Sequence, residues 1–137
     1  MYNDYFYIAD LTGSQEVPPV STDADGITLF HVSSDKENIR FRLEVDVLNN
    51  MTQAHIHAGS RNINGPIVAF LFGPLNQVSH YTDKVIEGYI TAKDLVGPLK
   101  GKSIRELIDL MSSRKAYVNV HTALYPDGEI PGKITHQ

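Results

Sequence analysis

The chain contains no cysteine and no tryptophan among its 137 residues. Without cysteine it can form no disulfide, no zinc–thiolate cluster and no thiol nucleophile. Any metal site must therefore use histidine, carboxylate, backbone or water ligands. Positive charge is also scarce, with 12 Lys and Arg against 16 Asp and Glu. That balance argues against a protein that binds nucleic acid or anionic membranes.

Long apolar runs are missing as well. No segment approaches the roughly 20 apolar residues that span a bilayer, so no membrane span is expected. The first residues, Met1–Tyr5, lack the charged and apolar regions of a signal peptide, which leaves the compartment undefined. The length is that of one domain, and we expect a single domain over residues 1–137.

Short alternating segments predict an all-β fold. In the clearest, Asn38–Leu48, apolar residues alternate with charged ones, which is typical of a strand with one buried and one wet face. Turn residues separate it from similar segments at about Tyr5–Leu11, Gly26–Ser33, Thr52–Ala58, Ile67–Phe72, Val85–Ile90, Ala116–Thr122 and Glu129–Thr135. About eight such strands predict an antiparallel sandwich or barrel.

One stretch, about 91–114, departs from the β pattern. Ser103 and Glu106 have the spacing of a capping box, and Thr91 and Asp94 repeat it at the start of the stretch. Helical spacing then relates the apolar residues Ile104, Leu107, Ile108 and Met111. The stretch is predicted to be a short helical insertion between two strands.

Two distant segments carry histidines at strand spacing. Side chains alternate between faces along a strand, so His55 and His57 point the same way and Ile56 points the other way. The same rule places His121 on one face with Asn119 and Tyr117. Three imidazoles on two rigid strands predict a metal site.

The metal is not decided by these residues. Affinity order at a nitrogen site favours copper over zinc. Three histidines with a water molecule would equally make a hydrolytic zinc centre. The simplest alternative is that His55 and His57 are polar residues on a wet face. His31, His80 and His136 are expected at the surface or core edge.

Several blocks, in order and nearly end to end, resemble the CHRD domain family, which is named from chordin. They are Leu11–Val20 (LTGSQEVPPV), Ala54–Gly59 (AHIHAG), Asn64–Val68 (NGPIV), Leu71–Phe72, Tyr117–Thr122 (YVNVHT) and Pro126–Ile130 (PDGEI). The resemblance implies a Greek-key sandwich of the immunoglobulin or superoxide dismutase type.

Copper/zinc superoxide dismutases also carry a His-x-His pair and a later histidine. By that likeness His55, His57 and His121 would ligate one copper ion. No histidine-rich zinc loop is present and only His80 lies between them, so the likeness implies a mononuclear site without His80. Glu16, Asn119 and Tyr117 are the residues expected beside the ligands.

The chain departs from the family near its end. Members often read Gly-Glu-Ile-Arg-Gly, whereas this chain reads Gly128-Glu129-Ile130-Pro131-Gly132. The resemblance therefore implies a site without that guanidinium. If the arginine guides an anionic substrate, fast superoxide dismutation is not expected here.

Three functions remain open. The first is a copper-binding protein with a redox or copper-handling role, which includes a copper-dependent oxidoreductase acting on a small oxygen species. The second is a non-catalytic extracellular module that binds a protein partner. The third is a zinc-dependent hydrolase with Glu16 or Glu129 as general base. The family resemblance implies a secreted or extracytoplasmic location.

Overall fold

A computed structural model describes residues 5–59, 65–73 and 85–137. These residues form nine strands: β1 Phe6–Thr12, β2 Asp25–Val32, β3 Asn38–Asp46, β4 Met51–Ala58, β5 Ile67–Phe72, β6 Val85–Thr91, β7 Ala116–Thr122, β8 Ile130–Lys133 and β9 Thr135–His136. Sheet A has the order β6-β3-β2-β1-β9, and sheet B has the order β5-β4-β7-β8. All strand pairs are antiparallel, which confirms the predicted all-β sandwich.

Three pairings join strands that are not consecutive. In sheet A, β3 pairs with β6 and β1 pairs with β9, and in sheet B, β4 pairs with β7. The chain crosses between the sheets after β3, β5, β6 and β8, which gives the predicted Greek-key connections. Alternate residues of both sheets meet in one core that includes Tyr7, Phe30, Phe41, Met51, Ile56 and Val118.

The clearest predicted strand is two residues too long. β3 ends at Asp46, and Val47 has a left-handed φ of 55°, which is costly for a β-branched residue. This backbone turn breaks the alternation. Val47 is 54% exposed instead of buried, and Leu48 enters the core in its place.

The predicted strand Glu129–Thr135 is two strands in different sheets. β8 pairs with β7 in sheet B, whereas Thr135 and His136 pair with Ile8 and Tyr7 of β1 in sheet A. Ile134, fully buried, lies at the switch between them. The free edge of β1 supplies hydrogen-bonding groups that alternation alone does not reveal.

The insertion is helical as predicted. It comprises the 3-10 turns Ala92–Asp94 and Gly97–Leu99 and the helix α1, Ile104–Ser112. The four apolar residues at helical spacing are all buried, and the Asp94 carboxylate accepts from the Thr91 backbone N–H at 2.9 Å. The capping box at Ser103 is wrong, because its side chain makes no capping bond and Glu106 N–H donates to the Ser103 carbonyl. Within the described ranges no helix is long and apolar enough to cross a membrane.

Candidate metal centre

Sheet B brings the two histidine segments together. β4 and β7 are neighbours, with His55 opposite Asn119, His57 opposite Tyr117, and Gln53 opposite His121. Since Ile56 and Val118 point into the core, the histidines lie on the other face of the sheet. That face is not wet here. His55 is 1% exposed, and His57 and His121 are each 8% exposed.

The three rings form a compact cluster. The ring centroid of His55 lies 5.5 Å from that of His57 and 4.8 Å from that of His121, and the His57–His121 distance is 5.9 Å. One nitrogen of each ring lies within 4.8 Å of one nitrogen of each other ring. The structure therefore places side by side the three histidines that the spacing singled out, in an arrangement able to hold a metal ion.

His57 is held by a loop and an aromatic ring. Its Nδ1–H donates to the Gly65 carbonyl at 2.9 Å, and Gly65 N–H donates to the Tyr117 hydroxyl at 2.9 Å. The Tyr117 ring also stacks on His57, with centroids 4.9 Å apart and planes 9° apart. Tyr117 thus fixes both the ring and the carbonyl that sets its tautomer.

The other two rings have comparable partners. His121 Nδ1–H donates to the Pro126 carbonyl at 2.8 Å. His55 Nε2–H donates to Gln53 Oε1 at 2.8 Å, and the ring meets Phe70 edge-on at 4.6 Å. In each case the partner oxygen only accepts, so the bonded ring nitrogen carries the proton.

These bonds leave one nitrogen of each ring as a lone-pair acceptor: Nδ1 of His55, Nε2 of His57 and Nε2 of His121. All three atoms are buried and have no hydrogen-bond partner within the described part of the chain. Each tautomer is therefore set by an oxygen on one side, and the lone pair is left available on the other.

Burial also favours the neutral form of His55 and His57. Desolvation, reinforced by the neighbouring His121 and His57, lowers the pKa of His55 to about 3. Desolvation lowers the pKa of His57 as well, although its bond to Gly65 acts in the opposite direction. The pKa of Tyr117 is raised, chiefly by burial. Neutral imidazole is the form that binds a metal.

The two buried carboxylates expected to act here have other partners. Glu16 Oε2 accepts from Asn119 Nδ2 at 2.8 Å, and Glu16 Oε1 accepts from Val17 N–H at 3.2 Å. Glu129 accepts from the hydroxyls of Thr22 at 2.6 Å and Thr122 at 2.9 Å. Among the described residues neither carboxylate is hydrogen-bonded to an imidazole, and Glu16 bonds instead to Asn119.

Three residues that hold the rings were not predicted from the sequence. Gln53 could have been predicted, because it lies two residues before His55 and so shares its face. Gly65 and Pro126 act through backbone carbonyls in loops, and no side-chain pattern marks such atoms. A groove of about 590 Å³, lined by residues 16–21 and 124–128, adjoins the Pro126 side of the cluster.

The remaining histidines have other surroundings. His31 is exposed in sheet A and stacks on Phe6 with centroids 4.4 Å apart. His136 Nε2 and the Tyr7 hydroxyl are 3.1 Å apart. His80 lies outside the described residues. Among the described histidines, only His55, His57 and His121 form the candidate metal cluster.

The CHRD domain family model matches residues 7–134 of this chain. No curated protein matches the sequence. The matched span takes in both sheets, the helical insertion and all three clustered histidines. The chain therefore belongs to the CHRD domain family.

Proposed function

We propose that this domain binds one copper ion through His55 Nδ1, His57 Nε2 and His121 Nε2, in a redox or copper-handling role. One observation carries the proposal. Three clustered imidazoles on sheet B each carry a buried nitrogen with no hydrogen-bond partner among the described residues, while the other nitrogen of each ring is already bonded. A metal ion is the partner that satisfies all three at once.

Three buried imidazole nitrogens without a partner destabilise the fold. Leaving a buried acceptor unpaired costs about 1–3 kcal/mol, so three cost about 3–9 kcal/mol. That sum is comparable to the net stability of a whole domain, about 5–15 kcal/mol. Three such atoms in one cluster are therefore better explained by a ligand than by packing.

The donor separations suit a first-row metal after small rotations. Metal–imidazole bonds of about 2.0–2.1 Å place ligand nitrogens roughly 3–4 Å apart. One nitrogen of each ring lies within 4.8 Å of one nitrogen of each other ring, so turns of the rings would bring three nitrogens to that spacing. Three neutral imidazoles without thiolate or carboxylate favour copper over zinc by the affinity order of divalent metals.

When bound, copper would supply one-electron exchange between its two common oxidation states. The protein's own contribution is to hold the tautomers and exclude bulk water. Pro131 lies opposite Asn119 in the β7–β8 register, and Lys133 lies opposite Tyr117. Position 131 carries no guanidinium, so electrostatic guidance of an anion by that residue is missing. This favours holding copper over fast superoxide turnover.

The other two functions have less support. A zinc hydrolase needs a general base beside the metal, but both oxygens of Glu16 and of Glu129 already accept hydrogen bonds. A non-catalytic extracellular module would use the histidines as structural links between chain segments. A buried lone pair without a donor costs stability, so it does not serve such a structural link.

The test is metal analysis of protein prepared without added metal or a histidine tag, followed by Cu(II) titration with paramagnetic resonance. We expect one copper per chain and a nitrogen-rich signal. At copper levels 100 times the dissociation constant, binding adds about 2.7 kcal/mol to the free energy of unfolding. His57→Ala should abolish both effects.

His31→Ala is the matched control, because His31 is a strand histidine on the exposed face of sheet A. It should bind copper as the wild type does. A parallel Zn(II) titration decides the metal. Tight copper binding that survives His57→Ala, or no tight binding of either metal to the wild type, would contradict the proposal.

A further inference from the structure

A fourth unpaired atom belongs to the same face as the imidazoles. Asn119 lies opposite His55 and two residues before His121, and its side chain is 4% exposed. Its Oδ1 is buried without a hydrogen-bond partner in the described part of the chain. Three lone-pair nitrogens and one amide oxygen thus share a single face of sheet B.

The orientation of this amide is set by its other end. Asn119 Nδ2 donates to Glu16 Oε2 at 2.8 Å, and a carboxylate can only accept. Oδ1 must therefore be the atom on the side away from Glu16. Glu16 is itself anchored, because its second oxygen accepts from Val17 N–H.

Gly128 makes the contact between Glu16 and Asn119 possible. Its φ of +125° suits glycine, and a Cβ there would collide with the Asn119 amide and the Glu16 carboxylate. The chain thus places a bare backbone, a buried carboxylate and an amide together. The result is one fixed acceptor oxygen beside the imidazoles.

A metal ion satisfies nitrogen lone pairs, whereas an amide oxygen next to neutral imidazoles needs a hydrogen-bond donor. Resting on the proposed function, we propose that Asn119 Oδ1 accepts a hydrogen bond from a small ligand that enters the site. The site thereby selects ligands that carry an O–H or N–H group over ligands that only accept. Asn119 contacts that ligand, and Glu16 is the positioning residue.

Bicarbonate and acetate are suitable probes, because they have the same charge and nearly the same shape. They differ in a hydroxyl against a methyl group. On copper-loaded protein at constant pH, each dissociation constant is read from the change in the paramagnetic resonance spectrum. We expect the wild type to bind bicarbonate more tightly, by about three- to tenfold, the worth of one hydrogen bond.

Asn119→Leu should lower the preference for bicarbonate by about three- to tenfold while copper still binds. Glu16→Gln keeps Asn119, but a glutamine amide can donate as well as accept, so the Asn119 amide can flip and its oxygen loses its fixed position. The preference for bicarbonate should therefore fall part of the way. Thr28→Val is the control, because Thr28 Oγ1 is also buried without a hydrogen-bond partner among the described residues, but lies in sheet A. It should leave the ratio unchanged.

The outcomes separate the two proposals. If the wild type binds no copper, the proposed function fails before any anion is added, and this inference fails with it. If copper binds but the wild type does not prefer bicarbonate, only this inference is overturned. An unchanged ratio in Asn119→Leu would show that Asn119 is purely structural. Loss of copper from that variant would show that Asn119 is a metal ligand. Should Asn119→Leu not fold, the wild-type preference and Glu16→Gln still decide.

Discussion

The outer faces of the two sheets satisfy their polar groups in opposite ways. On sheet A, Arg42 pairs with Glu44 at 3.0 Å and with Glu87 at 3.5 Å, and each of the three side chains is between 43% and 46% exposed. His31 lies on the same face, stacked on Phe6. Water can replace every one of these contacts at little cost.

On sheet B the histidines of the corresponding face are shielded from solvent. His55, His57 and His121 are buried, and each has one bonded nitrogen and one nitrogen without a partner in the described ranges. Because these nitrogens are buried, water cannot replace a hydrogen-bond partner that is lost. The same residue type is thus an exposed surface group on one sheet and part of a candidate metal centre on the other. Burial and the loop carbonyls make the difference.

Acid should distinguish the two faces most strongly. The folded pKa of His55 is about 3, against an ordinary value of 6.5 in the unfolded chain. The stability that depends on a neutral His55 is complete above pH 6.5 and is lost as the pH falls toward 3. We expect the free energy of unfolding of metal-free protein to decline across this window in urea titrations.

The acid test needs a difference between variants, because carboxylates also titrate at low pH. His55→Gln should show a shallower decline than the wild type between pH 6.5 and pH 4. His31→Ala, on the exposed face, should keep the wild-type decline. If the unfolding free energy falls equally steeply with pH in the wild type and in His55→Gln, the contrast between the two sheets is contradicted.

A pair of tyrosine variants tests the contrast between the two sheets further. Tyr117→Phe removes the hydroxyl that accepts from Gly65 N–H, and with it the support of the carbonyl that holds His57. We expect a loss of about 1–2 kcal/mol in unfolding free energy. Copper affinity should fall about 10- to 100-fold, as when other groups behind a metal ligand are removed.

Tyr89→Phe is the matched change on sheet A, where the side chain is 64% exposed. It should alter neither urea unfolding nor copper titration. A copper affinity that is the same in Tyr117→Phe and the wild type would show that the stacked ring, without its hydroxyl, is enough to place His57.

The smallest effect is expected from the ion pairs of sheet A. Arg42→Ala removes two of them, and exposed pairs contribute at most about 1 kcal/mol. Urea unfolding at low salt and at 1 M salt should show a small loss that shrinks as salt screens the charges. A loss above about 2 kcal/mol at both salt concentrations would mean that this face is not governed by solvent.

Much of the fold was predictable because its rules are local. Strand alternation predicted the shared face of His55 and His57, and helical spacing predicted the buried side of α1. Prediction failed where a single backbone angle changed the pattern, as at Val47, and where a free sheet edge captured a segment, as at Thr135. Such events depend on neighbours that are distant in sequence.

Which side chains share a face follows from the sequence alone, because steric alternation along a strand depends only on adjacent residues. The position of His121 across from Gln53 and beside His55 follows from the fold, since β4 and β7 are far apart in the chain. The fold also decided which nitrogen of each ring is unpaired, through the acceptors of Gln53, Gly65 and Pro126. Hydrogen bonds from loops have no sequence period, and folding alone brings them to the site.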